Sequence, residues 1–276
     1  MTHSRPSQCS PSTLRPLSVQ LSPLNQADGS ASLKAGNTHI MVAIYGPVAP
    51  RISHRERIDR GLVNVIFSKG AMMPGCGRGV SIDGDESGES MKPLATPLPP
   101  GGGATERELE YFLVDALSSC IMLERYPRCV IQVVVQVIQA DGGVLGTAVN
   151  CAVMALMDAC VAIRGLPVAS TFVVVSKPIS VNNDDNNSIW IDPSAEEESM
   201  EGCSIVTLIT KASSGSGNEE DNSSGVLNSF TCGAPVSMTG LMRCVDGTII
   251  YNTAMVAFMR MAIEQKVKKE VETLWS

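Results

Sequence analysis

Residues 130–163 read VIQVVVQVIQADGGVLGTAVNCAVMALMDACVAI, and this stretch limits the fold more tightly than any other. Its opening run of valine, isoleucine and glutamine favours an extended strand. Ala140-Asp141-Gly142-Gly143 is a turn, because glycine accepts backbone angles that other residues resist. From Thr147 to Ile163 the chain is rich in alanine and methionine, with Asn150 and Asp158 as its strongly polar breaks. Such a segment is a helix buried on nearly every side. Strand, glycine turn and helix together aim backbone N–H groups at whatever lies beyond the turn, and a helix N-terminus attracts anions. The residues around the turn decide whether an anion sits there.

The flanking sequence supplies the rest of a mixed domain. From Ser18 to Arg51, turns at Ala27-Asp28-Gly29-Ser30 and Gly36-Asn37-Thr38 separate β-rich runs, the last ending at Tyr45-Gly46-Pro47, which predicts an antiparallel meander. Leu62–Ser68 is a further strand. Thr105–Leu123 is an amphipathic helix, with Leu109, Phe112, Leu113, Ala116, Leu117, Cys120 and Ile121 on one face. Strands are expected at Thr171–Ser176, Ile189–Ile191, Ser204–Lys211 and Val226–Thr231. A long helix follows from Ser237 to Trp275, in which Gly247 costs about 1 kcal/mol. Residues 1–16 are Ser/Pro-rich and read as a disordered tail. Residues 17–272 read as a single domain, with flexible insertions at 80–103 and 212–225.

A chain of 276 residues can bury one large core. Its formal net charge of -7 means that any nucleic-acid contact must come from a local patch. The densest basic segment is Arg51–Arg60, RISHRERIDR, whose Arg51, Arg55, Arg57 and Arg60 are candidate phosphate contacts. Nine cysteines without a C-x-x-C pair and no apolar leader read as reduced thiols of an intracellular protein. The most apolar run, Ala148–Ile163, is shorter than the ~20 residues a membrane span needs. Asp83-Gly84-Asp85-Glu86-Ser87 lacks the spacing and closing glutamate of a calcium loop, so no metal is expected. Gly143-Val144-Leu145-Gly146 follows a strand and is neutral, unlike the basic GxxG loop of a KH domain.

Four stretches in this order resemble the RNase PH family, and within it the RNase PH-like subunits of the eukaryotic RNA exosome ring. They are Asp28-Gly29-Ser30-Ala31 with Gly36-Asn37-Thr38; Tyr45-Gly46-Pro47; Gln139–Asn150 with Ala155-Leu156-Met157-Asp158-Ala159; and Ile191-Asp192-Pro193 with Glu196-Glu197-Glu198. The resemblance implies an α+β fold of mixed β-sheets packed with helices, in β-α-β order with a long C-terminal helix. It implies a heterodimer pair with another RNase PH-like subunit inside a hexameric ring. It also implies S1/KH-type cap subunits, RNA through the ring channel, no membrane, and residence in the nucleus, nucleolus and cytoplasm.

Active members of the family cut RNA from its 3′ end with inorganic phosphate. That chemistry needs an arginine at the glycine turn to hold phosphate, and paired carboxylates. Here Gly142 and Gly143 are followed by Val144 and Leu145. Losing a charge-assisted pair costs about 1.5–3 kcal/mol of anion binding. Asp192 matches the first carboxylate, or is a turn former before Pro193. At the second position the chain has Cys203-Ser204-Ile205, with no acid. In the first long helix only Arg107 is basic, beside Glu106, Glu108, Glu110 and Asp115. The expectation is therefore a subunit without catalytic residues or a cofactor. Gly142, Gly143 and Asp192 are the remnant of a site, and Val144, Leu145 and Ser204 stand at lost positions. The alternatives are a homo-oligomeric nuclease with a metal on Asp192, or a phosphate-dependent exoribonuclease completed by a neighbour.

Overall fold

In a computed structural model of the chain, the structure describes residues 14–50, 57–69, 106–175, 188–200, 202–212 and 225–275. Arg51, Arg55, the insertion at 80–103 and nearly all of the one at 212–225 lie outside them.

The expected meander is present as β1 (Leu17–Leu21), β2 (Gly29–Ala35) and β3 (Thr38–Val48). With β4 (Leu62–Lys69) and β5 (Val130–Gln139) it forms a five-stranded sheet in the order β1-β2-β3-β5-β4. β4 and β5 run parallel, and the connection between them carries α1 (Glu106–Cys120). α1 lays Leu109, Leu113, Ala116 and Leu117 into the core, and Glu110 accepts the Phe67 N–H on the open edge of β4 at 3.0 Å. The second sheet is antiparallel, in the order β7-β6-β8-β9. Its strands are β6 (Leu166–Val175), β7 (Ser188–Ile191), β8 (Cys203–Ala212) and β9 (Val226–Gly233). β6 begins earlier than expected and contains Pro167. β7 pairs only with Phe172–Val175, so the proline sits where one side of β6 is open and no ladder donor is lost.

Between the sheets runs α2 (Val144–Asp158), packed on β1, β2, β3 and β5 from one and on β6 and β8 from the other. Leu145 through Leu156 are all buried. The helix starts at Val144 rather than Thr147, because Gly143 at φ 59° serves as its N-cap and the apolar Val144 and Leu145 pack into the core. It stops before Ile163 because Cys160 turns the chain at φ 55°, and the Met122 N–H then captures the Ala162 carbonyl at 2.9 Å. α4 (Met238–Trp275) is continuous through Asp246-Gly247. A Cβ on Gly247 would stand 3.1 Å from the Phe172 ring, so the glycine makes room for that side chain.

The motif residues have visible structural jobs. Asp28 accepts the Gly46 N–H at 2.7 Å, holding the end of β3 against the turn before β2. Asp158, at the end of α2, accepts from the Ser30 N–H at 2.9 Å and from the Ser22 hydroxyl. It also pairs with Lys266 of α4. Asn150 bonds in both directions with the Ala169 backbone, each at 2.8 Å, and so covers the part of β6 that β7 does not reach.

Gly29 sets the distance between β2 and α2. A Cβ there would meet the Ala159 nitrogen at 2.4 Å and the Ala155 carbonyl oxygen at 2.6 Å, and backbone atoms cannot swing aside. Gly29→Ala is expected to lower stability by about 1–3 kcal/mol, the usual cost of overpacking, read as a lower urea midpoint.

Candidate functional site

The turn Asp141-Gly142-Gly143 enters α2 against the short helix α3 (Ala195–Glu198). A Cβ on Gly142 would lie 2.4 Å from the Pro193 carbonyl oxygen, so only glycine lets the two segments meet. Ser194 and Glu197 brace the start of α3, the Glu197 carboxylate reaching back to the Ser194 N–H at 3.2 Å. Asp141 accepts from the Ala195 N–H at 3.3 Å and from the Asn37 amide at 3.0 Å. The buried Thr38 hydroxyl donates to the Gly142 carbonyl at 2.8 Å and accepts the Asp141 N–H at 3.1 Å.

The anion position at the helix start is filled from within the chain. The Gly143 N–H donates to Glu198 Oε1 at 2.7 Å. An arginine is also present, but it comes from the N-terminal segment. The Arg15 guanidinium donates to Asp192 at 2.5 Å, to the Asp141 carbonyl at 2.7 Å and to the Gly142 carbonyl at 3.4 Å. Its backbone N–H donates to the other Asp192 oxygen at 3.1 Å, and the Pro16 carbonyl accepts the Gly36 N–H at 2.9 Å. The boundary expected after Pro16 therefore falls inside a docked strap. Arg15 Nε is buried and finds no hydrogen-bond partner among the described residues.

Asp192 is 7% exposed and holds φ 54°, a conformation that aspartate tolerates better than most residues. It is a turn former before Pro193, and its carboxylate is committed to Arg15. The positions read as lost are structural. Leu145 is 8% exposed within the core, Val144 packs beside it, and the Ser204 hydroxyl donates to the Ala234 carbonyl at 2.7 Å. Of the basic candidates, Arg57 and Arg60 are exposed. They lie near the start of β5, whereas the turn follows its end.

Three carboxylates, Asp141, Asp192 and Glu198, share one arginine. Burial pushes Glu198 up from 4.5 to about 7; Asp141 and Asp192 push the same way, against the Gly143 bond and the Arg15 charge. Burial acts to lower Arg15, but the bond and charge of Asp192, with Asp141, hold it above the ordinary arginine value. Burial, reinforced by Asp192, also raises Tyr251 of α4. Among the described residues no His, Cys, Asp or Glu group is arranged to hold a metal ion. A metal on Asp192 would have to displace Arg15.

Arg15 left no local signal, since it stands in a Ser/Pro-rich segment. Glu198, Thr38 and Asp141 lie inside the motifs quoted above, but only the fold shows that they close on one turn.

A profile of the 3′ exoribonuclease family, domain 1 (RNase PH), matches residues 13–162, and the chain belongs to that family. It is 25% identical over 276 residues to the exosome complex exonuclease RRP46 homolog of Oryza sativa, covering 98% of this chain and 100% of that one. It is 34% identical over 158 residues to exosome complex component Rrp41 of Thermoplasma acidophilum, covering 57% of this chain and 56% of that relative. The chain thus spans little more than half the length of that relative. The crystal structure of rice Rrp46 superposes with a TM-score of 0.70 at 23% identity, covering 94% of this chain and 100% of that one. An archaeal exosome core chain gives 0.62 at 17% identity, covering 91% and 89%. These likenesses bear out the α+β, RNase PH-like fold with its long C-terminal helix.

The raised Glu198 carboxyl has a definite pH consequence. Between about 4.5 and 7 the folded chain holds a proton there that the unfolded chain releases. Stability contributed by that proton is complete below about 4.5 and is lost as pH rises towards about 7. Urea midpoints measured from pH 4.5 upward should fall by the equivalent of about 1–3 kcal/mol across this window. Glu198→Gln, which cannot titrate, should flatten the fall.

Proposed function

We infer that the chain is a non-catalytic RNase PH-like subunit of the RNA exosome core ring. It supports 3′-to-5′ RNA processing and degradation, including rRNA maturation and mRNA turnover, by ring assembly and contacts along the RNA path. Its ring neighbours are other RNase PH-like subunits, one of them a heterodimer partner, with S1/KH-type cap subunits above. It works in the nucleus, including the nucleolus, and in the cytoplasm. The full-length similarity to the rice RRP46 homolog and the shared fold of exosome core chains support the ring role.

One observation carries the non-catalytic part. Glu198 already occupies the Gly143 N–H. A phosphate arriving there would meet a carboxylate, with Arg15 turned to Asp192 and two carbonyls. Arginine at position 145 would not repair the seat, because that side chain belongs to the core.

The full chain, incubated with single-stranded RNA and inorganic phosphate, is expected to release no nucleoside diphosphates. Release that disappears in Asp192→Asn overturns the reading.

Leu145→Arg is expected to cost about 3 kcal/mol or more, as for a buried charge without a partner. Phosphate should not raise its melting temperature relative to a chloride control.

A further inference from the structure

Arg57 and Arg60 belong to a larger group of cations. Residues 57–61 are stitched to the 3₁₀ turn Leu123–Arg125 and the reverse turn after it. The Arg128 N–H donates to the Arg57 carbonyl at 3.1 Å, the Gly61 N–H to the Leu123 carbonyl at 2.8 Å, and the Leu62 N–H to the Cys129 carbonyl at 2.9 Å. Gly61 is buried and permits the approach: a Cβ there would stand 2.8 Å from the Tyr126 carbonyl oxygen. The exposed Arg57, Arg60, Arg125 and Arg128 thereby share one corner. Arg164 joins them by pairing with Glu124 at 2.8 Å. Against these five arginines the described part of the corner sets Asp59 and Glu124, and Glu124 is engaged by Arg164. In a chain of net charge -7 this is a local reversal of sign.

We propose that this corner is a contact surface for the sugar–phosphate backbone of single-stranded RNA, in which Arg125 and Arg128 act together with Arg57 and Arg60. The proposal rests on the RNA-path reading above and names residues that it did not. All five cations are arginines, whose forked donors match phosphate oxygens. They arise from three separate segments, so the charge spreads over a surface and suits a repeating polyanion better than a single carboxylate. Backbone hydrogen bonds hold the segments together before any ligand arrives, which lowers the ordering cost of binding. The corner is also distinct from the filled seat. β5 starts just beyond the corner at Val130 and ends at Gln139 beside the glycine turn. At about 3.3 Å per residue the two lie about 30 Å apart. The RNA held here is therefore strand in passage, remote from the α2 N-terminus.

Fluorescence anisotropy of the full chain with a labelled single-stranded oligoribonucleotide, titrated over a range of salt, tests this. Arg125→Gln and Arg128→Gln are each expected to weaken binding several-fold. Each should also reduce the slope of log K against log salt by about 0.7, as should Arg57→Gln and Arg60→Gln. Lys268→Gln on α4 should change neither quantity. Gly61→Ala removes no charge but pushes the loop from Tyr126, and it should weaken binding as well. The four arginine variants decide the matter even if that one unfolds. Loss of affinity in the Arg57 and Arg60 variants alone overturns the joint corner and leaves the RNA-path reading standing. Wild-type chain that binds no RNA at low salt sinks both. Equal or tighter binding of polyglutamate overturns the proposal in favour of an acidic protein partner.

Discussion

A helix buried on every side must find partners for its polar ends inside the protein, because water cannot supply them. α2 is such a helix, wedged between two sheets. At its N-terminus the Gly143 N–H is met by Glu198. At its C-terminus Asp158 collects Ser22, Ser30 and Lys266. Carboxylate at that end opposes the helix dipole, and the lysine from α4 offsets it. Midway, Asn150 turns its amide to the Ala169 backbone. β2, α3, α4 and β6 are all tied to α2 through these few polar groups, so the two sheets are held in one relation to each other.

The requirement at the N-terminus explains why the turn is satisfied from within the chain. An empty start to a buried helix would cost about 1–3 kcal/mol for each unsatisfied donor. The chain meets the need with its own carboxylate, and Arg15 braces the neighbouring Asp192 and the turn carbonyls. Burial, reinforced by the nearby Asp141 and Asp192, is why Glu198 is driven to hold a proton near neutrality. Leu145 packs into the core. Leu145 in the core and Glu198 on the Gly143 N–H together satisfy this turn from within the chain.

Much of this was legible in the sequence where the signal was local. Val130–Gly143 combined β-branched residues with a glycine turn, and Asp28-Gly29 and Gly36-Asn37 marked the hairpins, because turn chemistry acts over a few residues. Leu145 and Ser204 stand where the family resemblance implies an arginine and an acid. Helix ends were less so. The start of α2 depends on Gly143 taking a left-handed conformation, and its end on Cys160 and a bond to the Met122 strand connection. Arg15 was invisible for a different reason: Asp192 and the turn carbonyls that it binds lie more than a hundred residues away in sequence, and Ser/Pro-rich neighbours give no hint of docking. Glu198 was noticed as part of an acidic run, but no spacing rule predicts which of three adjacent glutamates will turn back to a helix cap.

The geometry of β5 separates the filled turn from the arginine corner. The filled seat lies past Gln139 and the arginine corner lies before Val130. Their separation of about 30 Å is several Debye lengths at physiological salt, where the screening length is about 8 Å. Charges at one end therefore exert little force at the other, and the seat can be closed by a carboxylate without weakening attraction for RNA at the corner. The β5 strand, paired on both sides by β3 and β4, keeps the distance fixed. The proposed absence of phosphorolysis and the proposed contact with RNA are therefore compatible, because the two places share a scaffold but little electrostatic coupling.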